Sequence, residues 1–136
     1  MSSEPLRHVT VACGIIIRDG LILAAQRSPV MSVPNKWEFP GGKLELNESA
    51  DDCLHRELME ELSIKVRIVH ALPIHSYTYP TFRVTMIAFI CDSLVGEPVL
   101  HEHARVAWVA PEQLDRLDWA PADAPILNHL RDFLAR

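Results

Sequence analysis

Apolar and polar positions alternate between two periods along this chain. Val9 to Ile17 is dense in β-branched and other apolar residues and predicts a buried strand. Asp19-Gly20 is a hairpin turn signal, with Leu21 to Ala25 as the returning strand. Ser28 to Asn35 has two prolines and no clear period, so it reads as a loop. Trp37 to Phe39 is a short extended piece, stopped by Pro40-Gly41-Gly42, where the backbone must turn sharply or approach something closely. The period lengthens from Ser49 to Leu62: Leu54, Leu58 and Leu62 recur every four residues, and Ser49 with Asp52 resembles a capping box. Val66 to Ala71, Ile74 to Tyr79, Arg83 to Cys91 and Arg105 to Val109 predict four further strands, and Pro111 opens a short helix. Asp123 to Leu134 predicts a last helix with Ile126, Leu127, Leu130, Phe133 and Leu134 on its apolar side. The order of strands, helix, strands, helix implies an α+β class or a mixed sheet between helices.

Composition narrows the classes. The chain has 136 residues, 49% hydrophobic and 23% charged, so one domain over residues 1–136 is expected, with a core that needs no disulfide or structural metal. The formal charge of -5 argues against a partner such as a nucleic-acid polymer, whose backbone calls for a basic face. It leaves room for a small polyphosphate, because bound divalent cations invert the local charge. No apolar stretch approaches the roughly 20 residues that span a bilayer, so no membrane association is expected. The opening MSSEPLRH lacks the apolar core of a secretory signal. Cys13, Cys53 and Cys91 are far apart and odd in number, which fits reduced, buried thiols and a cytoplasmic protein.

The chemistry concentrates in Arg56-Glu57-Leu58-Met59-Glu60-Glu61. At about 100° per residue, Glu57, Glu60 and Glu61 share one helix face, beside the leucine stripe that pins the helix to the core. Their mutual repulsion destabilises the helix by a few tenths of a kcal/mol per pair. A hard cation such as Mg²⁺ removes it, since it takes carboxylate oxygens and keeps waters or phosphates as its other ligands. A solvated acidic face is the simpler reading of the same residues.

The surroundings decide between them. From Gly42 the chain runs five residues to Glu48, seven more, then Arg56-Glu57-Leu58-Met59-Glu60-Glu61-Leu62-Ser63-Ile64. This resembles the signature box of the Nudix hydrolases at every fixed position except Ser63, where the family has glycine. Phe39-Pro40-Gly41-Gly42-Lys43 and Trp119-Ala120-Pro121-Ala122-Asp123 resemble segments of the MutT-type branch, including members acting on CTP or 8-oxo-dGTP. The resemblance implies the Nudix fold, a mixed sheet sandwiched between helices with a loop-helix-loop box. It implies Mg²⁺ as cofactor, with Mn²⁺ as a substitute, and a nucleoside triphosphate as substrate, released as monophosphate and pyrophosphate. The oligomeric state stays open.

The resemblance also distributes roles. Glu57, Glu60 and Glu61 hold metal together with the Gly41 carbonyl, a close approach that glycine permits, and Glu57 foremost orients or deprotonates the attacking water. Arg56 pairs with acidic neighbours, and Gly42 and Glu48 support the box. Glu102 is a further metal or water contact; the His101 and His103 beside it count little, because magnesium prefers oxygen ligands. Arg27 and Lys43 are phosphate contacts. Asp123 reads the base or caps the last helix, and Trp119 stacks on the base or belongs to the core, as does Trp37 for the pocket wall. Ser63 in a left-handed helix end costs roughly 1–2 kcal/mol, unless the turn differs. A rival from another class is a non-catalytic nucleotide sensor of the same fold, against which the retained glutamates weigh.

Overall fold

The computed structural model describes residues 6–136. The N-terminal expectation bears on residues 1–5, which lie outside the described part. Strand β1 (Arg7–Arg18) is central: it turns through Asp19 and Gly20, both at positive φ, into the antiparallel β2 (Leu21–Gln26). Strand β2 carries β3 (Trp37–Glu38) through Ala25↔Glu38 and β8 (Arg105–Val109) through Leu23↔Trp108. On its other side β1 runs parallel to β7 (Phe82–Val95), in register from Arg7↔Phe82 to Ile16↔Cys91. Strands β5 (Lys65–Ala71) and β6 (His75–Thr78) pair antiparallel with β7. The sheet is therefore mixed.

Both faces of β1 and β7 are covered, which explains their nearly unbroken apolar runs. Cys13, Ile15, Val84, Met86 and Ile90 face one cluster, closed by Leu114 of a 3₁₀ helix (Pro111–Arg116) and by Ile126, Leu127 and Leu130 of α2 (Ala124–Leu134). Ala12, Ile16, Phe89 and Cys91 face the other, closed by Cys53, Leu54, Leu58 and Leu62 of α1 (Ala50–Leu62). The expected mixed sheet between helices is what forms.

Several boundaries differ from the sequence reading. Gly41–Lys43 is a strand, β4, paired antiparallel with β1 from Val11↔Lys43 to Cys13↔Gly41. A glycine pair conceals a strand from propensity, and only tertiary contact reveals it. Leu134 is 43% exposed and leaves the apolar side of α2, where the helix ends. Cys13, Cys53 and Cys91 are buried and unbridged, and burial raises the Cys53 and Cys91 thiols to about 11 and about 12. Among the described residues no helix is long and apolar enough to cross a membrane.

Helix α1 has both predicted caps. Ser49 Oγ accepts from the Asp52 N–H at 3.1 Å. At the other end Ser63 adopts φ 58° and ψ 40°, with its N–H donating to Met59 O and the Ile64 N–H to Leu58 O. The left-handed turn is thus kept with serine in the glycine position, and Ser63 Oγ lies 3.1 Å from His101 Nε2. Glycine removes the left-handed strain, about 1–2 kcal/mol, and raises unfolded-chain entropy at a cost of about 0.4–1 kcal/mol. Ser63→Gly is expected to keep or raise the melting temperature. Thermal unfolding checks this; a clear fall would show that the His101 contact outweighs the strain.

Candidate active site

One cleft of about 430 Å³ opens between β1, β4, α1 and the chain ahead of α2. Gly41, Gly42, Lys43, Glu57, Glu61 and Glu102 line it. Apolar and aromatic side chains, among them Val11, Phe39, Tyr79, Phe82 and Met86, share the lining with Asp123. Glu57, Glu61 and Glu102, from two distant parts of the sequence, thus line the same cleft.

Arg56 organises the acidic helix. Its Nε donates to Glu48 Oε2 at 2.7 Å and one terminal nitrogen to Glu48 Oε1 at 2.8 Å, a two-point pairing suited to its planar fork. The other terminal nitrogen donates to Glu57 Oε1 at 2.9 Å and Glu60 Oε2 at 3.1 Å, and the Lys43 carbonyl accepts a further bond. Hydrogen bonding to Arg56 pulls the Glu48 pKa down to about 2. The same bonds hold the guanidinium well above its ordinary value. Arg56 and Glu48 do not line the cleft; they fasten α1 to the loop that leads into it.

Glycine at 42 has a direct reason. A Cβ there would stand 2.2 Å from Glu57 Cδ, so the Glu57 carboxylate fills the space a side chain would take. At 41 the reason differs from the one read from sequence: a Cβ would meet Ala12 O at 2.0 Å, so the glycine serves the approach of β4 to β1. Burial raises the Glu57 pKa while Arg56 opposes it. Burial also raises that of Glu61, with His103 opposing and Glu102 adding to the rise. Glu61 Oε2 is buried without a hydrogen-bond partner. The Glu57, Glu61 and Glu102 carboxylates are hard oxygen donors of the kind a divalent cation takes. Among the described residues no three His, Cys, Asp or Glu side chains already converge as a cluster. Glu60 stands apart: its side chain is 59% exposed, pairs with Arg56 and is not on the cleft wall.

The remaining expected residues divide. Lys43 lines the cleft. Arg27 lines the cleft too, but its guanidinium is engaged by Glu38 Oε1 at 2.6 Å, Ser32 O at 2.6 Å and Ser32 Oγ at 3.0 Å. Trp119 is in the core rather than on the cleft wall: it stacks on Phe39 at 4.6 Å between centroids and donates its indole N–H to Leu114 O. Trp37 is buried there as well. Asp123 precedes α2 but makes no side-chain cap; its Oδ2 accepts from the Phe39 N–H at 2.9 Å. Burial, with Glu38 nearby, raises the Asp123 pKa well above the usual carboxylate range. Sequence reasoning missed Glu38, and it discounted His103, which is buried with Nε2 2.7 Å from Glu38 Oε2. The alternation of β3 could have flagged Glu38, since a charged residue between Trp37 and Phe39 needs a partner.

The chain matches the NUDIX domain family over residues 6–130. It is 35% identical over 123 residues to the CTP pyrophosphohydrolase of Escherichia coli, covering 90% of this chain and 91% of that protein. It is 31% identical over 123 residues to the 8-oxo-dGTP diphosphatase of Haemophilus influenzae, covering 90% of each. The solution structure of the Escherichia coli ORF135 protein superimposes with a TM-score of 0.84 at 34% identity, covering 96% of this chain and 93% of that one. The similarity holds in sequence and in fold over nearly the whole chain, so the chain belongs to the Nudix hydrolase family, with the MutT-like members as its relatives.

Proposed function

We propose that this protein hydrolyses a nucleoside triphosphate, ribo or deoxy, to the monophosphate and pyrophosphate with Mg²⁺ or Mn²⁺. The observation that carries the reading is the mixed lining of the cleft. Carboxylates and Lys43 share it with apolar and aromatic side chains and the buried Asp123. A polyphosphate with its cation suits the charged groups and a planar base the apolar ones.

A bound divalent cation supplies charge neutralisation of the polyphosphate and a more acidic water. Glu57, Glu61, Glu102 and the Gly41 carbonyl are the groups to hold it, with Glu60 joining on a rotation away from Arg56. Glu57, set in the hollow above Gly42, is the group to take the proton of the attacking water. Lys43 faces the phosphates, and Arg27 holds the loop Ser28 to Asn35 through Ser32 rather than standing free for them. At the base end Asp123 offers the edge not committed to Phe39. The relatives named for CTP and for 8-oxo-dGTP support a substrate of the cytosine or oxidised-guanine class, and a use in removing unwanted nucleotides.

A panel of nucleoside triphosphates, with and without Mg²⁺, read by pyrophosphate release, tests the whole proposal; a sensor without turnover would bind and release nothing. Glu57→Gln keeps shape and removes charge. It is expected to lower kcat by about 10²–10³ with an unchanged melting temperature. Near-normal turnover at saturating Mg²⁺ would sink the assignment. Glu61→Gln is expected to shift the Mg²⁺ titration of activity upward and leave base preference alone.

Base choice has its own test. Phe39 N–H keeps an oxygen of residue 123 turned toward itself, so Asp123→Asn turns an amide donor toward the base. A guanine edge, which presents N1–H and N2–H donors, then loses its match, while a cytosine edge keeps an acceptor for the amide. A guanine-type enzyme should lose about tenfold to a hundredfold in kcat/KM and a cytosine-type enzyme should keep its rate, while Asp123→Ala weakens either one. If neither variant moves the ratio of rates on 8-oxo-dGTP and CTP, Asp123 does not read the base.

A further inference from the structure

The cleft holds a chain of contacts that the hydrolysis proposed above leaves without a task. Glu38 accepts from Arg27 on Oε1 and meets His103 Nε2 on Oε2, at 2.6 Å and 2.7 Å. A carboxylate only accepts, so the His103 nitrogen facing it carries the hydrogen. The His103 side chain is 2% exposed and that of Glu38 is 14% exposed. On its far side His103 Nδ1 faces Glu61 Oε2 across 3.6 Å. Both of those atoms are buried and neither has a hydrogen-bond partner. Two orphaned polar atoms facing each other just beyond bonding distance satisfy one another after a small side-chain rotation when Nδ1 carries a hydrogen as Nε2 does.

The electrostatics around Glu61 give that pairing a purpose. The other charged groups acting on it are Glu102, Glu38 and Glu60, all acids that repel its carboxylate. His103 is the group that favours the ionised form. It is itself anchored: Glu38 grips one nitrogen, and the neighbouring Ala104 N–H donates to Gln26 O at 2.9 Å on the edge of β2. We infer that His103, held by Glu38, is a positioning residue that fixes one oxygen of Glu61 and leaves the other for the cation. Partners one step behind a ligand commonly tune metal affinity in this way. The inference rests on Glu61 as a cation ligand.

Direct Mn²⁺ binding to the full chain, followed by the electron paramagnetic resonance signal of free Mn²⁺ without nucleotide, tests it. His103→Ala is expected to weaken Mn²⁺ binding about tenfold to a hundredfold. The KM for nucleotide at saturating metal should stay within about twofold. His103→Asn returns an amide near the Nδ1 position but cannot reach Glu38, and should recover part of the lost affinity. Glu38→Gln removes the charge that anchors the ring and should weaken Mn²⁺ binding several-fold; it decides the matter if His103→Ala does not fold. Unchanged Mn²⁺ affinity in His103→Ala, or in Glu38→Gln in that case, overturns the positioning role and leaves the hydrolase reading intact. Absence of Mn²⁺ binding by the unsubstituted protein overturns the metal reading and this inference with it.

Discussion

The backbone of β4 lies so close to β1 that a Cβ at Gly41 would stand 2.0 Å from the Ala12 carbonyl oxygen. Everything functional in the molecule hangs on that approach. It seats Gly42 directly against α1, in a position where the missing side chain becomes the hollow for Glu57. It brings the Lys43 carbonyl within reach of Arg56, which closes the loop-helix unit on itself. The approach is itself held by the apolar stripe of α1, since Leu54, Leu58 and Leu62 bury against the same face of the sheet. Packing and chemistry therefore share one helix, with the leucines on one side and the glutamates on the next.

That division of labour is why so much was legible in the sequence. The leucine spacing, the Ser49 cap and the box residues are local patterns, and local patterns survive in one dimension. Even the left-handed Ser63 was foreseeable as a strained position, because the turn is dictated by how α1 must end rather than by the residue that ends it. What escaped depended on distant partners. Strand β4 has no strand propensity of its own, and only the backbone of β1 makes it one. Trp119 is a large aromatic close in sequence to Asp123, and nothing in its sequence context tells a ring that stacks on a ligand from one that packs on Phe39. Arg27 and Glu60 are charged residues in the right segments whose side chains turn out to be engaged by Glu38 and Arg56.

The excess of acid is handled by unequal distribution of cations. Arg56 takes four oxygen-bearing partners, Glu57 among them, whereas Glu61 pairs with no arginine or lysine among the described residues. Burial raises the pKa values of Glu57 and Glu61, so the protein itself does not fully support their ionised forms. A fold that neutralised those carboxylates with its own side chains would have no use for a divalent cation. One that left them in water would hold it weakly. The half-buried, under-compensated state lies between, and it is the electrostatic condition under which an external cation gains most on binding.

A single short run of chain, Trp37 to Gly42, anchors much of the cleft's lining. Trp37 donates to Asp118 O and accepts from the Ala120 N–H, which holds the segment leading to Asp123. Glu38 carries Arg27 and His103. The Phe39 N–H holds Asp123 itself, Pro40 O accepts from Gly14, and Gly41 and Gly42 seat β4 beneath Glu57. Alternation along this extended stretch sends the Glu38 side chain to Arg27 and His103 and those of Trp37 and Phe39 to the core. Its length cannot change by one residue without reversing that assignment, because a one-residue shift exchanges the two faces of a strand. The backbone register of β3 and β4 therefore sets where Glu38, Asp123 and Glu57 stand relative to one another around the cleft, before any side chain adjusts.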